Sequence, residues 1–520
     1  MRAIFSRAGH WLPLVVLAAA GLACTAFLFH GLQVNRQPDP QLLNFAFGFL
    51  DAVRQHHLAD FLLTVRKYPL LPSLVLAGSS LCVLGGMFVT GMLHSMHDAY
   101  VLVVMGSAAV HFVSRLWIVA SAVATLVTLD LVAARLFPAI RRGVVVPILL
   151  SSTIFLLLAT AIRPHMVVTC FTVLSFYYSL RLAESKTPWH MMAAFGTALV
   201  AFCSLQNGLF AFLFPVWGFL MVGGRPEMRR LLHRQLWLAL AICGVLAVLL
   251  GYPFLVNLLL GRPVHLTFDL GHDYIATEPK WTGGGFLYLL MLLRGTEMAM
   301  AILAAWTCVR QRQLIRTHPG LLIILVYVAL YVLCFGLYAG SSMRFFLPIL
   351  PFLALLAVPS FALLPSVIKH IFWCLVILLH VKLGVLALLP DTYDIARLFV
   401  LQQTSGTIAS DFPFYYLDIP PTRSSIATPG MEKERYIRSL SADLPHARPY
   451  VPLPEWQRAD VLVLRTRENQ TFTGFSPCYG VASLPWSYDV FLWGEVDWSV
   501  FGIVQTKRLG PPLTVYCRQK

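Results

Sequence analysis

Hydrophobic positions in this chain come in blocks, not in stripes. Between residues 11 and 391 apolar runs alternate with short polar loops. Many of these runs approach roughly 20 residues, enough for a helix to cross a hydrocarbon core about 30 Å thick. They predict spans at 11–30, 116–134, 144–162, 165–180, 190–205, 208–223, 236–260, 286–308, 320–338, 345–365 and 371–390. The stretch 71–114 is apolar enough for a hairpin of two more spans, or for segments that only dip into the membrane, so the count is eleven or thirteen. From residue 391 the pattern changes to short apolar runs separated by turn residues, with Pro420-Pro421 and Pro511-Pro512 as punctuation. There 459–464 and 501–504 read as strands. The expected fold is mainly α: a polytopic transmembrane module over 1–390, followed by a small α/β domain over 391–520. The membrane part carries no internal repeat of the kind common in transporters.

Composition excludes a protein soluble throughout. Apolar residues make up 58% of 520 positions and charged residues 12%, against about 25% charge in soluble domains; mean hydropathy is +0.73. A net charge of +15 would suit a nucleic-acid partner, but its distribution does not. The cations sit in short loops: Arg2 and Arg7; Arg135, Arg141 and Arg142; Arg181 and Lys186; Arg225, Arg229, Arg230 and Arg234; Arg310, Arg312 and Arg316. Placing all of these in the cytoplasm satisfies the positive-inside rule. With an odd count of spans, the N-terminus is then inside and the tail outside. The run at 11–30 is too long for a signal-peptide core and reads as an uncleaved first span. Eight of the ten cysteines lie in apolar runs as small hydrophobes. Cys478 and Cys517 lie in the tail, where an outer location permits a disulfide.

Several charges oppose the topology rule and so call for another purpose. Arg163 and Arg344 fall in short outer turns, and Arg115 falls at the outer start of its span. Cations in such places point to an anionic ligand at the outer surface. Two long loops, 31–70 and 261–285, share that face. In the first, Asp39-Pro40 suits a helix start, with the carboxylate as cap and proline at the first helical position. The same carboxylate could serve as a general base toward an acceptor hydroxyl, and the two roles are compatible. Arg66 and Lys67 either snorkel to anchor the following segment or pair with a lipid phosphate. The chain has no nucleotide-binding glycine loop, no His/Cys cluster with metal-ligand spacing, and no motif that demands a cofactor.

In order and spacing, these elements resemble the GT-C class of membrane glycosyltransferases, especially the family of protein O-mannosyltransferases and lipid A aminoarabinose transferases. The resemblance covers roughly 1–390 and rests on Asp39 opening a surface helix in the first outer loop, then Lys67-Tyr68-Pro69-Leu70-Leu71. It continues with Arg115-Leu116, Ala134-Arg135-Leu136-Phe137, Arg163-Pro164-His165, Gly271-His272, and Arg344-Phe345 followed by Leu347-Pro348 and Pro351. The chain departs from the family pattern at Pro40, where a second carboxylate is common, at Pro69-Leu70 in place of a doubled proline, and at His165 in place of aspartate.

The resemblance implies an inverting transfer of sugar from a polyprenyl-phosphate donor to a hydroxyl of a glycan, lipid or protein, as in cell-envelope glycosylation. Asp39 would be the base, and Lys67, Arg66, Arg163 and Arg344 would hold the donor phosphate. Tyr68, Arg115, His165, His272 and Asp273 would be further substrate contacts. It also implies a multi-pass protein of a bacterial inner membrane, with a periplasmic tail. Two other readings compete: a lipid or solute transporter or flippase, and a non-catalytic relative that keeps the architecture alone.

Other polar residues have simpler expectations. His56-His57 suit a polar helix face, while Asp269 and Lys280-Trp281 suit a solvated loop or a sugar contact. Arg294 and Glu297 lie at near-helical spacing and are expected to pair. His380 and Lys382 fall in the last span, and Asn469-Gln470-Thr471 matches a glycosylation pattern usable only in a eukaryote.

Overall fold

The computed structural model describes residues 46, 48–50, 52–63, 69–95, 98–99, 108–159, 161–222, 226–262, 282–338, 343–403, 406–412, 417, 419–426, 437–438, 442–444, 446–466, 471–481, 504–505 and 512–519. The protein is mainly helical and is an integral, multi-pass membrane protein. Among the described residues seven helices are long and apolar enough to cross a membrane: Leu70–Val89, Val110–Leu136, Pro164–Ser185, His233–Gly251, Pro319–Leu337, Met343–Leu363 and Ser366–Leu386. Gly285–Leu293 and Glu297–Arg310, bent by 95°, supply an eighth if counted as one span.

Several expected spans are interrupted. The run 144–162 is two short helices, Val145–Leu150 and Thr153–Leu158. They part at Ser151–Ser152 because Ser152 turns to an extended ψ of 116° and its hydroxyl accepts from the Phe155 N–H. Seryl pairs are known sites of such breaks. The run 286–308 breaks across 294–296. The run 208–223 begins as a 3-10 turn, Gln206–Phe212, before the α-helix Leu213–Met221. The described part of 71–114 holds one span-length helix, Leu70–Val89, and the start of the next, Ala108–Leu136. Arg115 therefore lies within a helix, not at its start. His56 has φ 60° and marks a turn with His57, so the two do not form a helix face.

The described residues fall into two compact units. One is built mainly on Leu116–His380. Its helices Pro164–Ser185 and Pro188–Ser204 pack together, as do Glu297–Arg310 and Leu350–Leu363. Rings of Phe176, Phe214, Tyr327 and Phe352 interlock at the centre, with neighbouring centroids 4.8–5.7 Å apart. Met343–Leu363 is the central span, 83% buried, whereas Ser366–Leu386 is peripheral at 11%.

The other unit contains Val381–Lys520 together with Leu76–Arg115. It holds a four-stranded sheet of β1 (Ile408–Ser410), β2 (Val461–Arg465), β3 (Phe475–Val481) and β4 (Leu513–Arg518), in the order β1-β2-β4-β3. Only β1 and β2 run parallel. Alternation along β2 explains its two cores. Val461 and Val463 join Tyr393, Ala396 and Val400 of the helix Thr392–Gln403. Leu462 and Leu464 face Phe475 and Trp456 on the other side. Cys478, at a bulge between Pro477 and Tyr479, is disulfide-bonded to Cys517 on β4. The second strand expected in the tail, 501–504, lies largely outside the described residues, and Val504 itself is helical.

Candidate functional site

The 3-10 segment Met343–Ile349 is the hub of the first unit. It packs against Thr153–Leu158, Pro164–Ser185, Gly285–Leu293, Pro319–Leu337 and Leu350–Leu363. Pro348 lacks an N–H and breaks regular α-helical pairing there. Arg344 is 6% exposed at the start of this segment. Arg163 is 5% exposed and extended (φ −134°, ψ 147°), as expected of a residue before proline. Pro164 then opens the helix Pro164–Ser185, which places His165 in its first turn.

His165 is 1% exposed, and neither ring nitrogen has a hydrogen-bond partner among the described residues. The guanidinium groups of Arg344 and Arg163 both act electrostatically on its ring. Phe345 meets that ring edge-on at 5.5 Å, and the Arg344 Cζ lies 5.5 Å from the Phe345 centroid. Phe335 stacks on Phe345 with ring centroids 5.7 Å apart. The backbone here is tied down by a relay: Asn207 Nδ2 donates to the Tyr331 hydroxyl at 2.6 Å, which donates to the Phe345 carbonyl at 2.7 Å. Two guanidiniums, an imidazole and the N-terminus of a 22-residue helix thus gather in one buried place. Such an arrangement attracts an anion by charge and by dipole, and the His165 ring can add a hydrogen bond.

A second polar knot lies beside it, where the two broken helices meet. The Glu297 Oε1 accepts from the Ser152 hydroxyl at 2.8 Å and from the Ile154 N–H at 3.1 Å. The Thr153 N–H donates to Thr296 Oγ1 at 3.0 Å. With Phe155 capped by Ser152, the first three N–H groups of Thr153–Leu158 are all satisfied. Glu297 therefore pairs with a helix end and not with Arg294, which is exposed on the far side of the break. Helical spacing could not anticipate this, because the helix is interrupted between the two residues.

Of the residues singled out in the sequence, the fold brings together Arg163, His165 and Arg344. Arg115 is fully buried in its helix and belongs to the other compact unit. Asp39, Arg66, Lys67, Tyr68, Asp269, His272, Asp273, Lys280 and Trp281 lie outside the described residues. His380 shares a 2.7 Å hydrogen bond with the Val376 carbonyl. No group of three or more potential metal ligands occurs among the described residues. Asn207, Tyr331 and Ser152 were not anticipated. Their only signal is polarity inside apolar runs, and the partners of Asn207 and Ser152 lie 124 and 145 residues away.

Fold and site together define a polytopic membrane protein with a buried cationic site at helix ends. No protein-family model matches the chain, and no curated protein does. Among solved structures it is similar to ArnT from Cupriavidus metallidurans bound to undecaprenyl phosphate, with 13% identity, a TM-score of 0.48, and coverage of 88% of this chain and 93% of that chain. It is similar to the apo state of the same protein, with 12% identity, a TM-score of 0.49 and the same coverage.

Proposed function

We propose that this protein is an inverting glycosyltransferase that moves a sugar from a polyprenyl-phosphate donor to an acceptor hydroxyl at the outer membrane face. The observation that supports this reading is the trio Arg163, His165 and Arg344, buried within a membrane protein. Ionisable residues inside a membrane protein commonly mark a ligand site or pathway. A phosphate carried on a long apolar tail suits such a site, since the tail stays in lipid while the headgroup enters the cationic pocket. In the reaction the acceptor oxygen attacks the anomeric carbon from the face opposite the phosphate. The carbon–oxygen bond to phosphate breaks, its electron pair stays on the phosphate oxygen, and the hydroxyl proton passes to Asp39. Arg163 and Arg344, with Lys67 and Arg66, stabilise the charge that builds on the leaving phosphate. His165 donates its ring N–H to a phosphate oxygen.

A transport reading draws on the two broken helices, a common feature of transporters, and one assay separates the two. Purified protein is given a labelled polyprenyl-phosphate sugar, and both donor binding and release of free polyprenyl phosphate are followed. Arg163→Ala and Arg344→Ala should each weaken donor binding about tenfold or more, in line with loss of a charged hydrogen bond. Arg310→Ala should leave it intact. Binding that survives both substitutions would remove the support for this reading, and binding without transfer to any acceptor would favour transport.

A further inference from the structure

A second cationic pocket lies at the other end of the same central span. Arg344 opens the span Met343–Leu363 and Phe361 nearly closes it, so the two sites stand roughly 30 Å apart along the helix axis. The far pocket is a cavity of about 630 Å³ lined by Arg141, Arg142, Lys369, His370, Trp373 and Phe361 among others. Adjacent segments bring further basic residues to this end. Thr307 touches Ser360 at 2.6 Å, so Arg310 follows at the same end. Gly320 packs against Leu136 and Leu180, which brings Arg135 and Arg181 there too.

The pocket has fixed walls. Asp130, 1% exposed, accepts the Gly143 N–H at 2.7 Å and so pins the 139–143 loop, whose Gly143 has φ 84°. Lys369 reaches back to donate to the Ala362 carbonyl at 2.7 Å, which folds its stem over the Pro365 turn and leaves two ammonium N–H bonds for another acceptor. On one side the wall is apolar, from Pro147 and Phe361. Trp373 also lines the cavity, and indoles favour the headgroup layer of a membrane. Lys369, His370 and Trp373 all belong to Ser366–Leu386, the least buried of the spans among the described residues at 11%. Cations beside an apolar wall, reached from the lipid side, match a phosphodiester that carries acyl chains better than a free anion.

We infer that this cavity binds the phosphate headgroup of an anionic membrane phospholipid in the leaflet opposite the candidate active site, with Arg141 and Lys369 as its principal cations. The shared chemistry is a phosphate, and free inorganic phosphate is the rival source. Native mass spectrometry of the full-length protein in detergent tests it, with phosphatidylglycerol, phosphatidylcholine and millimolar inorganic phosphate as separate probes. One phosphatidylglycerol should be retained per chain in preference to phosphatidylcholine. Arg141→Gln with Lys369→Gln should weaken retention tenfold or more, while Lys369→Arg keeps it. Arg310→Gln with Arg312→Gln, at the same end but outside the cavity, should not change it. The inference is overturned if both lipids are retained equally, if the Arg310/Arg312 pair matters as much as the cavity pair, or if inorganic phosphate binds and displaces the lipid. The readout is independent of sugar transfer, so its failure and that of the proposed function are distinguishable.

Discussion

An imidazole buried with both nitrogens unsatisfied weakens the fold, because each unpaired polar group costs about 1–3 kcal/mol. His165 is in that state among the described residues, and its burden gives a sharp test. His165→Leu, close in volume and fully apolar, should leave thermal stability unchanged or raise it by about 1 kcal/mol. The same variant should lose polyprenyl-phosphate affinity. A clear loss of stability with unaltered binding would make His165 a packing residue. Glu297 should behave in the opposite way. Glutamine keeps an oxygen for Ser152 and Ile154, so Glu297→Gln should stay within about 1 kcal/mol of the native protein. Glu297→Ala strands a hydroxyl and an N–H and should cost about 2–4 kcal/mol, read by thermal unfolding in detergent. At this scale the sequence was informative where a charge broke a rule: Arg163 and Arg344 stood out because topology had no use for them. It was silent where a polar residue had a distant partner, as with Asn207 and Tyr331.

Among the elements, long apolar helices were legible and their interruptions were not. Pro164–Ser185, Pro188–Ser204 and Pro319–Leu337 begin at prolines and end close to where the apolar runs end, because proline at a first turn marks a helix start. The breaks at 151–152 and 294–296 contain no proline. They persist because tertiary partners reward them, and apart from the serine pair at 151–152 no local pattern records that. The packing of Gly285–Leu293 on Pro319–Leu337 was hidden for the same reason. A Cβ on Gly285 would collide with the Phe335 carbonyl, and one on Gly336 would enter the Phe286 ring. Gly285→Ala should therefore destabilise by about 1–3 kcal/mol through overpacking. Gly78→Ala, with open space around it, should be neutral or slightly stabilising in its helix. Parallel melting curves of the two variants check this, and similar behaviour would show that the helix contact is looser than described.

For the molecule as a whole, the sheet was half legible. β2 is marked by its alternating Val and Leu, whereas β3 carries Pro477 and Gly480, residues that strand patterns disfavour. Its pairing with β4 is secured by Cys478–Cys517, which closes 39 residues; a loop of that length contributes about 4 kcal/mol on the chain-entropy account. Cys478→Ser with Cys517→Ser should lower the stability of the sheet-bearing unit by that order, measured by denaturant unfolding. Orientation is testable in intact cells, where a cysteine introduced at Glu455 should react with an impermeant maleimide and one at Arg312 should not. The knot between the broken helices also has a consequence for biosynthesis. Ser152 and Glu297 are 145 residues apart, which at roughly 5–20 residues per second separates their emergence from the ribosome by about 7–30 seconds. Throughout that interval the Thr153 and Ile154 amides lack their eventual acceptors, and hydrocarbon supplies none. Until the carboxylate arrives nothing rewards the break, so the segment should cross as one continuous helix whose Thr153 and Ile154 amides pair within it, and it should break only when Glu297 joins it.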